Sequence, residues 1–231
     1  MFKDKKMIFI YSTTGLTLVT ILLQILAYFS TAFVKVNGLV TTLLLFIIAP
    51  ITFFIIASML KKEPKVQIKL WKKIAILLVF TIVYFIVVIV LTHFVNSFNP
   101  TTTNPIVKGI QNNSVFIRTI IVLAWSMFAE EAVKLSLLFV VLKDYKYSTQ
   151  NRSRYWVSWI VVSILFGLLH LQTYNYNIIQ CLILIGLPTM MFGYLWKKTA
   201  SPYMTWGAHY LFDVLAISIA KFATALIFLN M

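Results

Sequence analysis

The sequence predicts an all-α protein: a polytopic helical membrane protein of about seven transmembrane helices (six to eight) with a polar site inside the bilayer. Three observations predict it. Of 231 residues, 61% are hydrophobic, 19 are Phe, and mean hydropathy is +0.91, which leaves too little polar surface for a soluble globule of this size. The apolar residues fall into runs of about 20, each long enough to cross the hydrocarbon core as a helix. The basic residues, which give a net charge of +14, cluster between those runs, where they set orientation in a membrane. That placement argues against nucleic acid as a partner and for the lipid bilayer.

The first run, Met7 to Val34, follows Lys3, Lys5 and Lys6 as a signal peptide would. It is too long for an ordinary h-region and other spans follow, so it reads as a retained signal anchor. The second run is Leu39 to Leu60, the third Lys73 to Val95; Pro50 kinks the former, as membrane helices tolerate. Asn96 to Ser114, with Pro100, Pro105, three consecutive threonines and several asparagines, is the longest loop and reads as a flexible connection. The later runs are Phe116 to Leu142, Trp156 to Thr173, Asn177 to Trp196 with a kink at Pro188, and Met204 to Leu229. Trp71, Trp156, Trp159 and Trp196 lie near span ends and read as interface anchors. One membrane domain, residues 1–231, accounts for all of these runs. Neither a solenoid-like repeat nor an inverted repeat of broken helices is visible.

Charge predicts a multi-pass protein of the cell membrane with a cytoplasmic N-terminus and an external C-terminus. On that assignment the inner segments hold 15 Lys and Arg, while the outer ones hold only Lys35, Lys108 and Arg118. Cys181, the single cysteine, excludes an intramolecular disulfide and a Cys-rich metal site.

Six carboxylates occur in the chain, and two of them, Glu130 and Glu131, are adjacent in the middle of a span. A charge at mid-bilayer costs about 2.5–3.5 kcal/mol on insertion scales, so a neighbouring pair points to function. Lys134 is four residues from one glutamate and three from the other, within reach of either. Neighbours on a helix point about 100° apart, so one glutamate is expected to be chemical and the other supporting. The remaining buried ionisable groups are His170, His209, Asp213 and Lys221, with His93 near an outer end. His209 and Asp213 are four apart and share a face. A rise of about 1.5 Å per residue puts Glu130 near mid-membrane, His170 toward the outer end of its span and His209 toward the inner end of its own, so convergence requires either shifted span boundaries or tilted helices.

Glu130-Glu131 with a basic residue just after, then Phe166-Gly167-Leu168-Leu169-His170, then His209-Tyr210-Leu211-Phe212-Asp213, on three helices in that order, resembles the CPBP family of intramembrane proteases. That family is also called the CAAX-protease and bacteriocin-processing, or Abi, family. The similarity covers residues 116–213, the motif core. Where the family carries an arginine four positions after the second glutamate, this chain has Leu135, with Lys134 one position earlier. In that respect it also resembles PrsW-type membrane proteases.

The resemblance implies an intramembrane endopeptidase of a bacterial cytoplasmic membrane. Its partner is a peptide or protein substrate in or at the membrane, and its roles include peptide maturation and bacteriocin self-immunity. Glu130 and His170 would activate a water; His209 would donate to the oxyanion and Asp213 would orient it, with Glu131 and Lys134 in support. No cofactor is favoured. The alternative is zinc on Glu130, His170 and His209, since family members have been described as metalloproteases; the His-Glu-x-x-His arrangement is missing. Two competing functions use the same groups: a non-catalytic membrane interaction or immunity protein, and a proton-coupled transporter.

Overall fold

In a computed structural model, residues 2–30, 32–60, 68–110, 112–142 and 152–229 are described, and among them there is helix and no strand. The basic loops around Glu63-Pro64 and 143–151 lie outside the described residues. The elements are α1 (Phe2–Phe29), α2 (Ala32–Leu43), α3 (Ala49–Leu60), α4 (Leu70–Asn96), α5 (Pro105–Gly109), α6 (Asn113–Leu142), α7 (Arg152–Leu168), α8 (Ile178–Gln180), α9 (Leu187–Thr199) and α10 (Pro202–Leu229).

Each of the seven apolar runs becomes a helical rod, with two pairs of helices fused into single rods. A π-helical turn, Leu44–Ile48, joins α2 to α3, and another, Cys181–Gly186, joins α8 to α9. Each turn ends two residues before a proline, Pro50 or Pro188. A proline ring lacks the donor for an ordinary helical bond and collides with the carbonyl four residues back, so the wider turn lets the rod continue. Four rods are long and apolar enough to span a membrane by length and composition: Lys6–Phe29, Phe33–Leu60, Leu70–Asn96 and Ile178–Thr199. Their outward faces suit lipid; α4, for instance, exposes Leu78, Val79, Ile82, Ile86 and Ile89.

Several boundaries move from those the sequence suggests. The first run breaks after Phe29, so residues from 32 onward belong to the second rod. The fifth run ends early: α7 stops at Leu168, and His170 stands in the turn beyond it rather than on a helix. The long external connection is partly ordered, holding α5 with Asn104 as its N-cap (Ile106 N–H to Asn104 Oδ1, 3.0 Å). Trp159 and Trp196 are 1% and 0% exposed, so they are core residues rather than interface anchors; Trp71 stays outside.

The centre of the molecule is α6, which packs against α1, α3, α7 and α10. From Glu131 to Phe139 every residue of it is buried, the pattern of a helix surrounded on all sides. On α7, Gly167 lets the backbone press against the second π turn, since a Cβ there would sit 2.6 Å from the Cys181 carbonyl oxygen. Gly186 makes the reciprocal approach, where a Cβ would sit 2.9 Å from the Ser163 carbonyl oxygen. This glycine-lined crossing brings the last turn of α7, just before His170, against the second π turn.

Candidate active site

One turn of α6 presents its two glutamates in different directions. Glu131 points inward, 1% exposed, and forms an ion pair with Lys134, which is itself 0% exposed and shares its face at a spacing of three. Its Oε1 also accepts a hydrogen bond of 2.9 Å from His209 Nδ1–H on α10. Lys134 lies over the rings of Phe192 and Phe166, 4.0 and 4.9 Å from their centroids, so aromatic faces help hold a cation in a dry position. The early placement of Lys134 relative to the family's arginine thus still delivers charge to Glu131.

Glu130, about 100° around the helix, faces a cavity of about 850 Å³. His170, His209 and Asp213 line the same cavity. With its Nδ1–H held by Glu131, His209 turns Nε2 toward Glu130 Oε2 at 3.7 Å, a separation longer than a direct hydrogen bond. His170 donates Nδ1–H to the Phe166 carbonyl at 2.9 Å, one turn back, which leaves its Nε2 as the free nitrogen. The Phe166 ring packs near both imidazoles, 4.9 Å from that of His170 and 6.4 Å from that of His209. The motif phenylalanine is therefore a neighbour of both histidines.

Glu130, His170, His209 and Asp213 thus line one cavity, with the buried Glu131 and Lys134 beside them on α6. One expected contact does not form. Asp213 makes no hydrogen bond to His209 among the described residues; Glu131 holds that ring instead. Among the described residues no three His, Cys, Asp or Glu side chains are grouped to hold a metal ion. His93 does not line the cavity, and Lys221 donates to the Ile110 carbonyl at 3.0 Å.

The far end of the cavity is polar. Thr101, Thr102, Thr103 and Asn104 line it from the long connection, and Gln172, Thr173 and Tyr174 from the turn after α7. Asn104 donates to the Tyr174 hydroxyl at 3.1 Å, and burial pushes that hydroxyl up to about 12, so it stays neutral. Gln180 ties the two segments together, accepting from Thr102 N–H at 2.7 Å and donating to its carbonyl at 2.8 Å. The sequence marks Gln172 to Asn177 as a polar, aromatic interfacial turn with Tyr174 or Asn175 as a candidate substrate contact; it assigns no role to the threonines or to Gln24 on α1, which also line the cavity. A glutamine near mid-span in an otherwise apolar helix was the visible signal.

Residues 112–215 match the family model for type II CAAX prenyl endopeptidase, Rce1-like. This segment is similar to that family. It runs from the start of α6 into α10 and contains all six of Glu130, Glu131, Lys134, His170, His209 and Asp213. The match agrees with the CPBP resemblance and covers a little under half of the chain. No curated protein and no solved structure matches the chain. The parts of the cavity contributed by α1, α2 and α4 lie outside the Rce1-like segment.

Proposed function

We propose that this protein is a glutamate-dependent intramembrane endopeptidase, cleaving a membrane-associated peptide or protein, in which Glu130, His170, His209 and Asp213 act from one cavity. The observation that carries this reading is that the open glutamate, two imidazoles and a further carboxylate face a common space inside an all-helical bundle, within an Rce1-like segment. Glu130 accepts a proton from a water held between it and His170 Nε2, and the water attacks the scissile carbonyl. His209, in its imidazolium form, donates from Nε2 to the oxyanion while Glu131 holds Nδ1. Lys134 and His209 then offset the two glutamates, with Asp213 a third carboxylate at the same site. Glu130 passes its proton to the leaving amine. Asp213 shapes the wall one turn beyond His209. This route requires no metal ion.

The chain crosses the bilayer seven times as a single membrane domain, with its N-terminus inside and its C-terminus outside. Lys69, Lys72, Lys73, Arg152, Arg154, Lys197 and Lys198 then lie on the cytoplasmic side. The threonine-lined end of the cavity, formed by the connections at the opposite ends of the same helices, opens to the exterior. Substrate therefore enters from outside, as suits maturation of exported peptides or self-immunity to a bacteriocin. The test is Glu130→Gln beside wild type in proteoliposomes with a panel of leader-type peptides. Loss of cleavage is expected; equal processing by both would leave the non-catalytic interaction reading in its place.

A further inference from the structure

His170 stands past the end of α7, where no continuing helix holds it. Its backbone is tied only within a tight turn, His170 N–H to Gly167 O at 3.0 Å and Tyr174 N–H to His170 O at 3.2 Å. That turn ends in Asn175 and Tyr176, both at positive φ, 51° and 60°. A catalytic imidazole on such a segment needs an external support.

Gln24 on α1 supplies one. It is 3% exposed, and its amide bonds the backbone on both sides of His170: Nε2–H donates to the Leu169 carbonyl at 2.8 Å, and Oε1 accepts from Gln172 N–H at 3.2 Å. A second brace comes from α2, where Asn37 donates to the Gln172 side-chain oxygen and Thr41 donates to Asn37 at 3.4 Å. Only a side chain with both a donor and an acceptor can satisfy the Leu169 carbonyl and the Gln172 amide together. A glutamine amide is costly to bury among apolar helices unless both ends are bonded. Serving the turn removes that cost.

We infer that Gln24 is a positioning residue for His170, a backbone clamp from the first helix that sets the imidazole's place in the cavity. Asn37 supports it through Gln172. The inference rests on the proposed protease reading for its kinetic consequence, but its structural core does not. Gln24 lies outside the Rce1-like segment, so the N-terminal helices are part of the working site rather than a membrane anchor alone.

The test uses the full chain in detergent micelles and the variant Gln24→Met, close in size and without the amide. Nitrogen-15 spectra of the three histidines are recorded for wild type and variant. The expected result is that His170 loses its locked Nδ1–H tautomer while the His93 signal is unmoved. With a leader-type peptide that wild type cleaves, kcat should fall by about 10- to 100-fold with KM little changed. In a His170→Ala background the same substitution should cost almost nothing further. An unmoved His170 signal, or a loss that adds fully to that of His170→Ala, overturns the clamp. If Gln24→Met does not fold, Gln24→Asn, which keeps the amide but is too short to reach both partners, is read in the same way. Activity retained by Glu130→Gln would instead reject the protease reading and leave the spectroscopic arm standing.

Discussion

Glu130 and Glu131 are consecutive residues in one helix, yet one borders an open cavity and the other is sealed behind its wall. Glu131 has Lys134, His209 and two aromatic rings around the group it belongs to. Glu130 has one nearby polar partner, His209 Nε2 at 3.7 Å, and otherwise the cavity. The difference shows how a helix assigns two jobs to identical side chains: rotation by about 100° turns one carboxylate into scaffold and leaves the next available for chemistry. The link between them is His209, which touches the sealed side with one nitrogen and the open side with the other.

The sealed side should show itself in stability. Glu131→Ala leaves the Lys134 ammonium buried without its partner, a change expected to cost about 3–5 kcal/mol in chemical or thermal unfolding of the micelle-bound protein. Pairing Glu131→Leu with Lys134→Met should recover much of that loss, because neither charge is then stranded. Single variants that unfold like wild type would mean that the ion pair is not the scaffold.

A smaller loss is expected at the crossing just before His170. Gly167→Ala puts a methyl group 2.6 Å from the Cys181 carbonyl oxygen, so α7 must back away from the π turn. About 1–3 kcal/mol of destabilisation should follow, with cleavage slowed as well. Unchanged stability would show that the backbones can part without strain.

The open side should tolerate change in the fold and not in the reaction. Asp213→Asn removes a charge from the cavity wall without breaking a described hydrogen bond, so unfolding should shift by no more than ~0.5 kcal/mol. Cleavage should still fall, measured as kcat on the same peptide. A large stability change here would place Asp213 with the scaffold instead.

Much of this division was legible in the sequence. The glutamate pair, Lys134 at a spacing of three, the two histidines and Asp213 stood out because charge is rare in apolar runs, and the rods follow those runs. What periodicity could not carry were contacts between elements: that His209 would be held by Glu131 rather than Asp213, and that α7 would stop at Leu168. The first depends on the relative rotation of α6 and α10. The second lies beside the Gly167–Cys181 crossing, where the signal was a single glycine. Gln24 and the threonines of the long connection went unassigned because neutral polar groups carry no pattern until a partner strand of backbone is placed beside them. Trp159 and Trp196 misled because a span end seen in sequence can be the middle of a packed core.

The most direct measurement compares Glu130→Gln with wild type for both unfolding and peptide cleavage in the same preparation. The account predicts an unchanged unfolding midpoint and a loss of at least about 100-fold in kcat. A Glu130→Gln protein that unfolds early, or one that cleaves as fast as wild type, would contradict it.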